Sequence, residues 1–183
     1  MRLLAEIDDH SLGLSVAPHA SPEGYVERRA ARAVIFNRHG EIALLNARNG
    51  GYHKLPGGGI EAGESRENAV VREAMEETGC LVSLRPQVVG EIVEWRARFR
   101  QKQVSCCGIA DVGGDIGQTA LEQDEIAAGL ALEWMTLDKA IAIMAADSPD
   151  EYAGKFIRER DLIFLKEVRR INVSASANED AHD

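Results

Sequence analysis

Glu73, Glu76 and Glu77 lie close together in the segment LPGGGIEAGESRENAVVREAMEETGC, which runs from Leu55 to Cys80. On a helix, successive residues are about 100° apart, so relative to Glu73 the side chain of Glu77 falls about 40° to one side and that of Glu76 about 60° to the other. The three carboxylates therefore share one face. Ala74, Val71, Met75 and Thr78 fall on other faces and are expected to supply the side that packs on a core. Like charges three and four apart weaken a helix, and crowded carboxylates repel or take up protons. A hard divalent cation removes that cost, and carboxylate oxygen is the ligand type that magnesium and manganese favour. Such a metal activates water and neutralises charge developing on a phosphoryl group. The glycines at 57–59, just upstream, let backbone approach a ligand closely. The segment thus points to metal-dependent cleavage of a phosphate compound.

The elements that must position these residues are legible in outline. Ser65 is a candidate N-cap and Gly79 sits where a helix end favours a residue at positive φ, so a helix is expected from Ser65 to Thr78. Upstream, Arg32–Phe36 and Glu41–Asn46 read as strands joined by a turn at Asn37–Gly40. The stretch NGGYHKLPGGG reads as a loop. Downstream, Cys80–Leu84, Gln87–Phe99 and Gln103–Gly114 read as strands, the residues 114–129 as an acidic loop, and Leu130–Leu137 as a short strand. Helices are expected at Asp138–Ala145 and Glu151–Arg169. The strands do not alternate regularly with helices, so a mixed sheet packed between helices is expected rather than a doubly wound parallel one.

The 183 residues suffice for one domain with a core. Residues 1–24, interrupted by Pro18 and Pro22, read as an N-terminal extension able to add a strand, 25–171 as the main domain, and 172–183 as a small, polar, disordered tail. The net charge of −9 argues against broad binding to a nucleic acid polymer. No apolar run has the length of a membrane span, and the N-terminus lacks a basic region followed by an apolar one, so a cytoplasmic protein is expected. Cys80, Cys106 and Cys107 form neither a disulfide framework nor a zinc spacing.

The acidic segment resembles the Nudix box, G-x5-E-x7-R-E-U-x-E-E-x-G-U, with U a bulky aliphatic residue. The match runs through Gly58, Glu64, Arg72, Glu73, Ala74, Glu76, Glu77, Gly79 and Cys80. Ala74 and Cys80 are smaller than usual at the two U positions, which concerns packing rather than metal chemistry. The resemblance implies an α/β fold, an α/β/α sandwich with a mixed sheet, and hydrolysis of a nucleoside diphosphate linked to another moiety with magnesium or manganese. It implies Glu73, Glu76 and Glu77 as metal ligands, the Gly58 carbonyl as another, and Glu64 as an aid to a further metal or to helix orientation. Arg72 is expected to hold a box glutamate by a charge-assisted hydrogen bond. The general base is a box glutamate or an acid of the later loop, where Glu122, Asp124 and Glu125 are available and Glu125 is the first choice.

Substrate choice lies outside the box. Lys54 and Arg48 flank the Gly-rich loop and can reach phosphates, and Tyr52, His53 or Trp95 can stack on a base. The leading expectation is a pyrophosphohydrolase acting on a nucleoside triphosphate or a related diphosphate, with water as nucleophile. The alternatives are an ADP-ribose or nucleotide-sugar pyrophosphatase, and a Nudix-like module that binds a nucleotide without cleaving it. The expected partner is a small-molecule nucleotide, with no membrane, and the chain is a monomer or a homodimer.

Overall fold

A computed structural model describes residues 1–15, 24–114 and 117–179. The strands are β1 (Leu3–Asp8), β2 (Val26–Phe36), β3 (Ile42–Ala47), β4 (Tyr52–Lys54), β5 (Gly57–Gly59), β6 (Val82–Arg96), β7 (Gln101–Val112) and β8 (Leu130–Met135). The helices are α1 (Arg66–Thr78), α2 (Gln123–Ala127), α3 (Leu137–Ala146) and α4 (Tyr152–Glu179). The strands form one mixed sheet in the order β1-β6-β7-β2-β3-β4, with β5 pairing β2 and β8 pairing β3. β1 runs parallel to β6 and β2 parallel to β7, and the other pairs are antiparallel.

Both faces of the sheet are covered, and β2 shows how. Ala31, Ala33 and Ile35 join the cluster under α1, together with Ala69, Val70, Ala74 and Cys80. Val34 and Phe36 join the cluster under α3 and α4, with Phe156, Phe164 and Leu165. Alternation along a strand sends successive side chains to opposite faces, so an apolar run is buried on both sides. Each fully buried side chain of this size stabilises the fold by about 1.5–3 kcal/mol, which is what seats α4. Ala74 and Cys80, the two small box residues, are both buried in the packing under α1.

The helix around the box forms as its caps predict. Ser65 Oγ accepts from Asn68 N–H at 3.1 Å, and Gly79, at φ 69°, closes the far end with its N–H on the Met75 carbonyl. Its buried face differs from the expected one. Ala74 and Thr78 are buried, but Val71 and Met75 are only half-buried, and Glu77 takes a core position. The helix is rotated so that its acidic face looks along the sheet toward β5 rather than out to solvent.

Other differences have local causes. β4 and β5 form within the expected loop because the backbones of β3 and β2 pair with them. β6 is one long strand where two were expected, its register shifting between Leu84 and Gly90. α2 lies inside the acidic loop, nucleated by a reciprocal capping box between Glu122 and Glu125. The final helix runs on to Glu179, so the expected polar tail is helical over 172–179, and 180–183 lie outside the described residues. The N-terminal extension does supply an edge strand, β1, whereas Pro18 and Pro22 lie outside the described residues. Among the described residues, no helix is long and apolar enough to cross a membrane.

Candidate active site

α1, β5, the end of β4, the middle of β2 and α2 meet around a cavity of about 360 Å³. Glu73, Glu76 and Glu77 line it from α1, Gly57–Gly59 from β5, Lys54 from β4, Arg28 and Arg32 from β2, and Glu122 and Glu125 from α2. Glu73, Glu76 and Glu77 thus line one cavity, and Glu125, from a distant part of the chain, lines it too.

Arg72 organises one end of the cluster. Its Nε and Nη2 donate to the two oxygens of Glu64 at 3.0 and 3.1 Å. Its Nη1 donates to Glu73 at 2.9 Å and to Glu76 at 3.1 Å, and Nη2 also reaches the Gly59 carbonyl at 2.9 Å. The guanidinium's fixed fork is thereby fully used. Glu64 and then Glu73 hold its proton affinity above the ordinary arginine value, and the same bond with Arg72 draws Glu64 down. Glu64 stands behind Arg72 and does not line the cavity.

Glu77 organises the other end. It is 2% exposed. Its Oε2 accepts the Gly57 N–H at 2.6 Å, and Lys54 Nζ lies 2.6 Å from Oε1. Lys54 is thus the charge partner of Oε1, an oxygen otherwise buried without a hydrogen bond. Burial pushes the carboxyl from 4.5 up to about 7, against the pull of Lys54, while a hydrogen bond shared with Glu125 pushes the same way. A rise of that size is worth about 3 kcal/mol, against about 0.2–0.5 kcal/mol for a like-charge pair one turn apart. Desolvation, not crowding on the helix, is the main cost of this site. Burial also raises Glu73, with Arg72 opposing it. Burial alone would raise Glu125, but its bonds with Glu77 and the Glu122 N–H, and the nearby Lys54 at 3.6 Å, hold it below its ordinary value.

The Gly-rich strand is narrow for a visible reason. A Cβ at Gly58 would collide with the Glu73 carboxylate, and one at Gly59 would come within 3.1 Å of the Arg28 guanidinium. The donor set is carboxylate oxygen, the chemistry of a hard divalent cation, and the buried Glu77 Oε1 already faces one positive charge, the Lys54 ammonium. Glu73 and Glu76 lean on Arg72, and Glu77 on Lys54. Accordingly, among the described residues no three carboxylate, histidine or cysteine side chains converge as a ready ligand set.

The other sequence candidates lie elsewhere. Arg48 is exposed beyond β3 and does not line the cavity. The Tyr52 ring packs against Gly50 and Gly154. His53 Nδ1 faces Asp147 at 3.0 Å, and Trp95 meets Tyr25 edge-on and Lys102 across its face. The residues not anticipated are Arg28 and Arg32. Arg32 is buried, donates from Nη1 to the Gly57 carbonyl, and is lowered to about 10 by burial and then by Arg160. Arg28 donates to the Gln103 amide oxygen at 2.9 Å. Gln103 donates to Glu94, which also takes Arg96 and Arg160, and Asp161 links Arg160 to the Leu55 N–H. Their spacing of four, which puts both on one face of a strand, was the available signal.

The NUDIX domain family matches residues 26–158. The diphosphoinositol polyphosphate phosphohydrolase 3-alpha of Mus musculus is 26% identical over 129 residues, which cover 70% of this chain and 74% of the mouse protein. A putative 8-oxo-dGTP diphosphatase of Bacillus subtilis (strain 168) is 33% identical over 75 residues, 41% of this chain and 48% of that protein. The crystal structure of the C. elegans Ap4A hydrolase superposes with a TM-score of 0.55 at 16% identity, covering 80% of this chain and 98% of that one, and so shares the fold. With a family match spanning both walls of the cavity, this chain belongs to the Nudix family of hydrolases.

Proposed function

We propose that the protein is a divalent-metal-dependent pyrophosphohydrolase that cleaves a nucleoside triphosphate, or another nucleoside diphosphate linked to a further moiety, with water as nucleophile. The observation that carries this reading is the buried Glu77 carboxylate lining, with Glu73 and Glu76, a cavity whose other wall is cationic. Glu73, Glu76 and Glu77 would hold magnesium or manganese, with the Gly58 carbonyl as a further ligand. When bound, the metal neutralises phosphoryl charge and lowers the pKa of a water.

The chain's own residues do the rest. Arg72 fixes Glu73 and Glu76, and Glu64 is assigned to holding Arg72 in place. Lys54 sits between Glu77 and Glu125. Glu125 is assigned as the proton acceptor for the attacking water, because its bonds keep it ionised while Glu77 carries the raised affinity. The relatives' names, a diphosphoinositol polyphosphate phosphohydrolase and a putative 8-oxo-dGTP diphosphatase, describe hydrolysis of phosphate compounds. Three cysteines, all free and buried, support a reducing compartment such as the cytoplasm.

The test is a panel of phosphoanhydrides with magnesium or manganese. Pyrophosphate as product identifies a nucleoside triphosphate substrate, and AMP with a sugar phosphate identifies an ADP-sugar. Tight binding with no turnover across the panel would replace this reading with a nucleotide-binding module.

A further inference from the structure

The cavity has two walls, and their charges are balanced differently. On the carboxylate wall each cation is already paired: Arg72 with Glu64, Glu73 and Glu76, and Lys54 with Glu77 and Glu125. On the β2 wall the cations are not. Among the described residues, Arg28 donates to an amide oxygen and Arg32 to a backbone carbonyl, and neither forms a salt bridge.

Arg32 is 5% exposed, and its Nε–H has no hydrogen-bond partner. It is buried close enough to Arg160 for the two guanidiniums to repel, and Arg28 feels Arg96 and Arg160 in the same way. Acids offset this only in part: Asp161, Glu77 and Glu94 favour the charged Arg32, and Glu73 and Glu94 the charged Arg28, yet none forms an ion pair with either. Glu94 is taken by Arg96, Gln103 and Arg160, and Asp161 by Arg160 and the Leu55 N–H. A buried guanidinium with an unmade bond and a like-charged neighbour is costly. An anion in the cavity removes that cost, as a cation does on the wall opposite. Phosphate suits it, since a guanidinium fork binds phosphate oxygens in pairs. Arg28 is held for the task by Gln103, and the glycine at 59 leaves room for its head group.

We propose that Arg28 and Arg32 form an anion subsite for a substrate phosphate beyond the pair that the carboxylate wall engages, so that the enzyme selects compounds with three or more phosphates over diphosphate-linked ones. This rests on the pyrophosphohydrolase reading of the same cavity.

The experiment is calorimetric titration of the full chain, with magnesium present, using imidodiphosphate and diimidotriphosphate, whose nitrogen bridges resist cleavage. The wild type binds the triphosphate analogue about tenfold more tightly, the worth of one added charge-assisted contact. Arg28→Ala, at an exposed position, brings that ratio close to one. Arg32→Lys, which keeps the charge and loses the fork, reduces it in part. Thermal unfolding of each variant verifies the fold. Equal binding of the two analogues by the wild type, or a ratio unchanged in both variants, overturns the subsite. Parallel kinetics with ATP and ADP-ribose separate the two claims. Turnover with an Arg28-independent ratio removes the subsite alone. An Arg28-dependent ratio with no turnover supports the subsite and removes the catalytic reading.

Discussion

The Gly57 N–H donates to Glu77 Oε2 at 2.6 Å, tying the Gly-rich strand to the last turn of the carboxylate helix. The bond requires Gly57 at φ 134°, where a Cβ would also strike the Ala31 carbonyl and the Arg32 Cα. Gly57→Ala is therefore expected to cost about 1–3 kcal/mol in backbone strain, besides displacing Glu77. Urea unfolding measures it; a change within experimental error would mean the strand tolerates a side chain there.

Arg72 is the pivot between Glu64, Glu73 and Glu76. Arg72→Lys keeps a charge but cannot serve three carboxylates and a carbonyl from one plane. Turnover is expected to fall about tenfold to a hundredfold, the scale of a small misplacement of catalytic groups. Far-UV circular dichroism should be unchanged. Full activity in the lysine variant would mean that charge alone, and not the fork, is what the site needs.

These two positions show what the sequence could reveal. α1 was legible because Ser65, Gly79 and the box glutamates state its ends and its acidic face in local terms. Its rotation was not, because the burial of Glu77 depends on a bond from β5 that no helical periodicity encodes. β5 itself consists of Gly57–Gly59, which carry no strand propensity and are strands only because β2 pairs with them. Arg28 and Arg32 carry no local mark that separates them from the neighbouring Glu27 and Arg29. Their partners, Gln103 for Arg28 and the Gly57 carbonyl for Arg32, are distant in sequence. At the C-terminus, no Pro or Gly follows Arg169 to end the helix, and Ser174 Oγ returns to the Arg170 carbonyl. Small polar composition was a poor guide to disorder there.

Asp161 joins α4 to the loop that leads into β5, accepting from Leu55 N–H at 2.9 Å and from Arg160 at 2.6 Å. It is fully buried, as are Arg160 and Glu94. Asp161→Ala leaves the Arg160 guanidinium buried with one fewer counter-charge and is expected to cost about 3–5 kcal/mol. Equilibrium unfolding gives the value directly; a loss below about 1 kcal/mol would mean the network is no more than a surface ion pair in effect.

Glu125 and Glu122 both line the cavity, and of the two Glu125 has Lys54 Nζ, the ion-pair partner of Glu77, at 3.6 Å. Glu125→Gln is expected to lower kcat by about a hundredfold to ten-thousandfold with little change in KM, the range for loss of a general base. Glu122→Gln, which retains a capping oxygen for α2, should fall far less. The opposite ranking would move the proton-accepting role to Glu122.

In the proposed reaction the box carboxylates act through a divalent cation on a phosphoanhydride. Its most direct test is the rate of phosphoanhydride hydrolysis by the wild type and by Glu77→Gln, each with magnesium and with excess chelator. Turnover is expected in the wild type, abolished by chelation and restored by magnesium. The Glu77→Gln variant is expected to be folded and nearly inactive at any magnesium concentration. Chelator-resistant turnover, or a Glu77→Gln variant as active as the wild type, would contradict it.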